Sequence, residues 1–100
     1  MTDQTITQSR ARYEHHIARK NLQEKYQAKL LFAHDGGMWK AGPELIVLLN
    51  SVTDESMVLL DEYQTPVVVT VSSLLEKATL HWQEQMNAWH VEYTEISRLR

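Results

Sequence analysis

The chain has 100 residues, 43% hydrophobic and 23% charged, with no cysteine and a formal net charge of −3. That is the length of one domain, in a balance that suits neither a disordered nor a membrane-embedded chain. Disulfides, thiolate metal sites and a cysteine nucleophile are excluded, and no apolar run approaches the ~18 residues of a membrane span.

The charge is unevenly spread. Residues 1–33 carry six basic and three acidic side chains, a net +3, and residues 34–100 carry four basic and ten acidic, a net −6. A basic arm on an acidic body either meets nucleic acid or lies against acidic surface of its own chain or a neighbour. The sparse spacing of Arg10, Arg12, Arg19, Lys20, Lys25 and Lys29 favours protein contact over nucleic acid.

Residues 3–33 contain neither glycine nor proline and are rich in Ala, Gln, Glu, Lys, Arg and Leu, which predicts a long helix of roughly 46 Å. Thr2, Asp3 and Thr5 offer N-caps. Ala18, Leu22, Tyr26 and Leu30 recur at intervals of four and form one row, while Ile6, Tyr13 and Ile17 form a neighbouring but distinct stripe. A helix so weakly amphipathic in its first half needs a partner.

The stretch "HDGGMWKAGPE", residues 34–44, holds every glycine and one of the two prolines. Gly36 or Gly37 is expected to end the first helix in a left-handed conformation. Pro43 and Glu44 suit the start of a short helix over 43–50, with a strand as the alternative for the apolar run "LIVLL". "MVLLDEY" and "PVVVTV" predict a β-hairpin, 57–62 against 67–71, with a helix covering one face. Ser73 and Glu76 form a capping box that opens a helix over 73–100, about 42 Å long. Leu75, Trp82, Trp89 and Ile96 repeat every seven residues along it, with Ala78, Met86 and Tyr93 beside them, and Arg98 and Arg100 suit its negative end.

Two helices longer than the roughly 35 Å breadth of a compact 100-residue domain cannot both hide inside it. The expected fold is mainly α with a minor β part: two long antiparallel helices forming a helical hairpin, with the short helix and the β-hairpin between them.

The candidate chemistry is thin. Gly37 and Gly42 have the spacing that opens a phosphate loop, but Pro43 and Glu44 stand where the lysine and hydroxyl belong, and no strong strand precedes the glycines. Trp39 and Lys40 are expected to form an exposed contact. The five histidines include no His-x-x-x-His pair; His15 and His16 diverge, and His81 and His90 fall on opposite helix faces. Asp54-Glu55 and Asp61-Glu62 are read as solvated loop edges. With Ser72 and Ser73 assigned to capping, no catalytic residue, metal ligand or cofactor is indicated. The unusual feature is the aromatic face of the last helix, Trp82, Met86, Trp89, Tyr93 and Ile96. It serves as hairpin core, as an interaction anchor, or as both. A stacking platform for single-stranded nucleic acid is disfavoured by Glu84 and Glu92 on the same helix.

In "GGMWKAGPELIVLL", "VLLDEYQTPVVV" and "MNAWHVEY" the chain resembles small proteins of T4-like tailed bacteriophages, across about residues 26–94. The resemblance carries no catalytic signature. It implies a virion component, an assembly factor or a small host-directed binder, in the host cytoplasm or the virion. The expected function is therefore non-enzymatic protein binding or assembly through the aromatic face, as a homo-oligomer or part of a larger assembly, without a membrane. The alternative is a small nucleic-acid-associated regulator that uses the basic first helix.

Overall fold

A computed structural model describes the backbone of residues 3–98 and the side chains from Arg10 to Arg98. The element order is α1 (Asp3–Lys29), β1 (Leu31–His34), β2 (Gly37–Lys40), α2 (Pro43–Ser51), β3 (Ser56–Leu60), β4 (Pro66–Thr70) and α3 (Val71–Arg98). The fold is thus mainly helical, with three helices and two antiparallel two-stranded sheets, β1–β2 and β3–β4. α1 and α3 run unbroken for 27 and 28 residues, about 40 and 42 Å at the helical rise. The molecule measures 65 × 23 × 19 Å, with a radius of gyration of 19.1 Å against about 13 Å for a compact chain of this length. Thr2 and Arg100 lie outside the described residues, as do the side chains of Asp3, Thr5 and Ile6.

The first helix stops at Lys29, four residues short of the expected end. "LFAH" is a strand, paired with "GMWK" from Leu31↔Lys40 to His34↔Gly37. The two residues between them, Asp35 and Gly36, have φ of 50° and 79°, as a type I′ hairpin turn requires. The glycine pair therefore closes a hairpin and does not cap a helix. A strand does precede the glycines, contrary to expectation. Gly37 has its own reason: a Cβ there would stand 2.9 Å from Cζ2 of Trp39. Trp39 is buried, not exposed as expected, and its Nε1 donates to the His34 carbonyl at 2.8 Å. Tertiary packing of that ring outweighs the helical propensity of the segment.

Pro43 opens α2 as expected, and Leu49 on its inner side is buried. The second hairpin sits slightly earlier than predicted, with Ser56↔Thr70 through Leu60↔Pro66 in register. Pro66 is the first residue of its strand, where no ladder donor is lost. Met57, Leu59, Val67 and Val69 face inward, while Val58, Leu60 and Val68 are exposed.

Asp61 corrects another expectation. It is buried, not at a solvated edge. Its carboxylate accepts from the backbone amides of Tyr63 (2.9 Å), Thr65 (3.0 Å) and Met38 (3.1 Å). These bonds, led by those from Thr65 and Met38, hold its pKa below the ordinary carboxylate value against the opposing effect of burial. The Glu62 amide in turn donates to the Met38 carbonyl at 2.8 Å. Met38 is thereby bonded through both backbone groups, which ties β2 to the turn of the second hairpin.

α3 begins two residues before the expected capping box. Its first amide, Val71, donates to the Glu55 carbonyl at 3.0 Å, and Ser73 Oγ shares a hydrogen bond with His34 Nε2 at 3.0 Å. Ser73 thus pins the first hairpin to α3 instead of capping the helix. The Asp35 carboxylate, 3.4 Å from the Thr70 amide, adds negative charge at the helix start. Trp39, Leu49, Val69, Val71 and Leu74 form the core, flanked by Phe32, Leu45, Val52, Met57, Leu59, Val67 and Leu75. Each fully buried leucine of this kind contributes roughly 1.5–3 kcal/mol.

Candidate partner-binding groove

Away from that core, α1 and α3 meet along the row read from the sequence. Leu22, Tyr26 and Leu30 are buried, and Ala18 is half-buried. The Tyr26 ring stacks on Trp89, centroids 5.8 Å apart and planes within 8°. The ammonium groups of Lys25 and Lys29 lie 5.3 and 5.2 Å from the Tyr26 centroid, within cation–π range. Lys25 pairs with Glu92 at 2.9 Å. That contact raises the Lys25 pKa and lowers that of Glu92. The Tyr26 hydroxyl has its pKa raised, first by burial and then by the nearby Glu92 carboxylate. Closer to the hairpins, His81 Nε2 donates to the Lys29 carbonyl at 2.6 Å, and its ring packs 5.4 Å from Phe32.

The seven-residue repeat of α3 is divided by the fold. The fully buried residues of the helix are Val71, Leu74 and Ala78, where it crosses the core. Trp82, Met86 and Trp89 are only half-buried. They line a groove of about 550 Å³ whose other walls are Leu30 of α1, Trp39 of β2, Leu45 and Leu48 of α2, and Leu59 and Leu60 of β3. Gln27, Lys40, Glu44 and Glu62 stand among its polar lining. The volume lies within the range of small-ligand pockets, and a mainly apolar lining with a few polar groups suits burial of apolar side chains. Of the predicted face, Tyr93 is 42% exposed and Ile96 half-buried, and neither lines the groove.

Leu45, Leu48, Leu59 and Leu60 are site residues that sequence reasoning missed. The apolar runs "LIVLL" and "VLL" announce burial, but not which of their side chains stay partly open toward α3. The six basic residues also divide. Arg10, Arg12 and Lys20 are exposed and Arg19 is half-buried, while Lys25 and Lys29 engage the acidic and aromatic groups of their own chain.

Among the described residues, no group of three or more His, Asp or Glu side chains could hold a metal ion, and no helix is long and apolar enough to cross a membrane. Compared with protein-family models, curated proteins and solved structures, the chain matches none.

Proposed function

We propose that this chain is a non-enzymatic protein-binding or assembly module whose groove buries an apolar segment of another polypeptide against Trp82, Met86 and Trp89. In this reading α1 and α3 pair antiparallel as a helical hairpin. Support comes from the order of their contacts: Lys25 meets Glu92, Tyr26 meets Trp89, and Lys29 meets His81. Numbers rise along one helix as they fall along the other.

The observation that carries the proposal is the half-burial of two tryptophans and a methionine at an open, mainly apolar groove. Aromatic residues and methionine are enriched at interface centres, where burying their residual surface drives association. Nucleic-acid contact is the weaker reading, because Lys25 is committed to Glu92 and Lys29 to Tyr26, and Glu44 and Glu62 lie at the groove.

A neutral apolar dye tests the groove whatever the partner is. At a dilution where the chain is monomeric, Nile red is expected to bind the native chain saturably, and Met86→Arg to abolish binding while leaving the unfolding midpoint close to that of the parent. Absence of saturable binding, or binding indifferent to Met86→Arg, would falsify the groove's role.

A further inference from the structure

Resting on that reading of the groove, we propose that its occupant is the N-terminal half of α1 from a second copy of this chain. The apolar residues of α1 fall on two sides. Leu22, Tyr26 and Leu30 are buried toward α3, whereas Tyr13 is 67% exposed. Tyr13 and Leu22 differ by nine positions, which at 100° per residue leaves them half a turn apart around the helix. The two stripes are therefore opposite and not neighbouring, so α3 cannot cover both. Ile17, four residues after Tyr13, lies on the same side of the helix but is half-buried, so Tyr13 is the open apolar group of this stripe.

The stagger of the helices leaves this half projecting. With Lys25 level with Glu92 and equal rise along both helices, Arg98 stands level with about residue 19 of α1. Residues 10–14 are all exposed, and the 65 Å long axis exceeds either helix alone. The groove, at Leu30 and Trp82, stands toward the other end of α1.

Charge selects the occupant. Arg10 lies three residues before Tyr13 and Lys20 three after Ile17, so cations flank a short apolar stretch on one side of the helix. The groove presents the complement, an aromatic and aliphatic floor whose charged lining is net acidic, with the exposed carboxylates Glu44 and Glu62 against the single cation Lys40. The asymmetry of the whole chain has the same sense, +3 over residues 1–33 and −6 over 34–100. An amphipathic helix laid in an apolar groove is a recurrent mode of recognition, and a tyrosine anchor suits it because its ring packs while its hydroxyl stays wet. Two copies related by a twofold axis would each set the arm of one on the groove of the other. That closed, isologous arrangement makes the same contact twice, and the second contact forms within an already assembled pair.

The test is sedimentation of the full chain across protein and salt concentration, with charge reversals on each side. The chain is expected to form a dimer that weakens as salt rises. Arg10→Glu with Lys20→Glu on the arm, or Glu44→Lys with Glu62→Lys at the groove, is expected to weaken association about tenfold per reversed pair. An equimolar mixture of the two variants is expected to recover a heterodimer. Tyr13→Ala is expected to weaken association and to increase Nile red uptake at high protein concentration. The inference is overturned by a parent chain that stays monomeric, by arm reversals that leave the dimer intact, or by a mixture that fails to reassociate. A monomer that still takes up the dye in a Met86-dependent way removes the arm as occupant and leaves the groove reading standing. A dimer broken by Met86→Arg and untouched by arm variants does the same. A parent chain that shows neither saturable dye binding nor a dimer defeats both.

Discussion

The end of the molecule built from the two hairpins, α2 and the first turns of α3 differs sharply from the N-terminal half of α1. In the first, side chains from distant parts of the sequence are shut from water together, and buried polar groups are bonded: Trp39 to His34, Ser73 to His34, and Asp61 to three amides. In the second, residues 10–14 are all exposed, Tyr13 among them. The first region holds its shape through non-local packing. The second leaves residues 10–14 open to solvent, away from the packing that holds the first.

That contrast orders the effects of substitution. Leu74→Ala removes a fully buried side chain from the core and is expected to lower stability by about 3 kcal/mol in denaturant unfolding. Gly37→Ala forces a methyl group to 2.9 Å from the Trp39 ring and is expected to cost about 1–3 kcal/mol in the same measurement. A cost near zero there would mean that the ring is free to move, and that the hairpin end is looser than its packing implies.

Asp61→Asn sharpens the comparison through pH. The Asp61 pKa is lowered in the folded chain by its amide bonds, so its stabilising effect is complete above the ordinary carboxylate range and is lost as pH falls through the depressed folded value. The variant is expected to melt below the parent at neutral pH, with the gap closing on acidification. A gap constant with pH would remove the charged carboxylate from its joining role. Glu92→Gln is expected to have a smaller effect that shrinks with salt, because the pair with Lys25 is 46% and 36% exposed. Tyr13→Ala marks the other extreme and is expected to change stability by no more than about 0.5 kcal/mol, measured at a concentration where the chain is monomeric.

The sequence disclosed these two regions unequally. The long helices were legible because residues 3–29 and 74–98 lack glycine and proline and their apolar residues recur at helical spacing. The row Leu22, Tyr26 and Leu30 and the short helix after Pro43 were legible for the same kind of local reason. The first hairpin was not, although Asp35-Gly36 is a strong signal for a two-residue turn. The good helix formers just before it concealed the change of period, and the packing of Trp39 that settles the matter is non-local. Ser73 was misread because its partner, His34, is 39 residues away, and Asp61 because, beside its local bonds to the Tyr63 and Thr65 amides, the bond to Met38 that joins it to the first hairpin spans 23 residues. For the groove, the repeat on α3 announced one wall, and nothing local announced that Leu48 and Leu60 would form others.

The most direct test of the groove is a ¹⁹F spectrum of the chain labelled with 5-fluorotryptophan, with resonances assigned through Trp82→Phe and Trp89→Phe, recorded at a dilution where the chain is monomeric as Nile red is added. The Trp82 and Trp89 resonances are expected to shift together and to saturate at one dye per chain. If they stay fixed while dye binds elsewhere, or do not respond because none binds, the groove is not a binding surface.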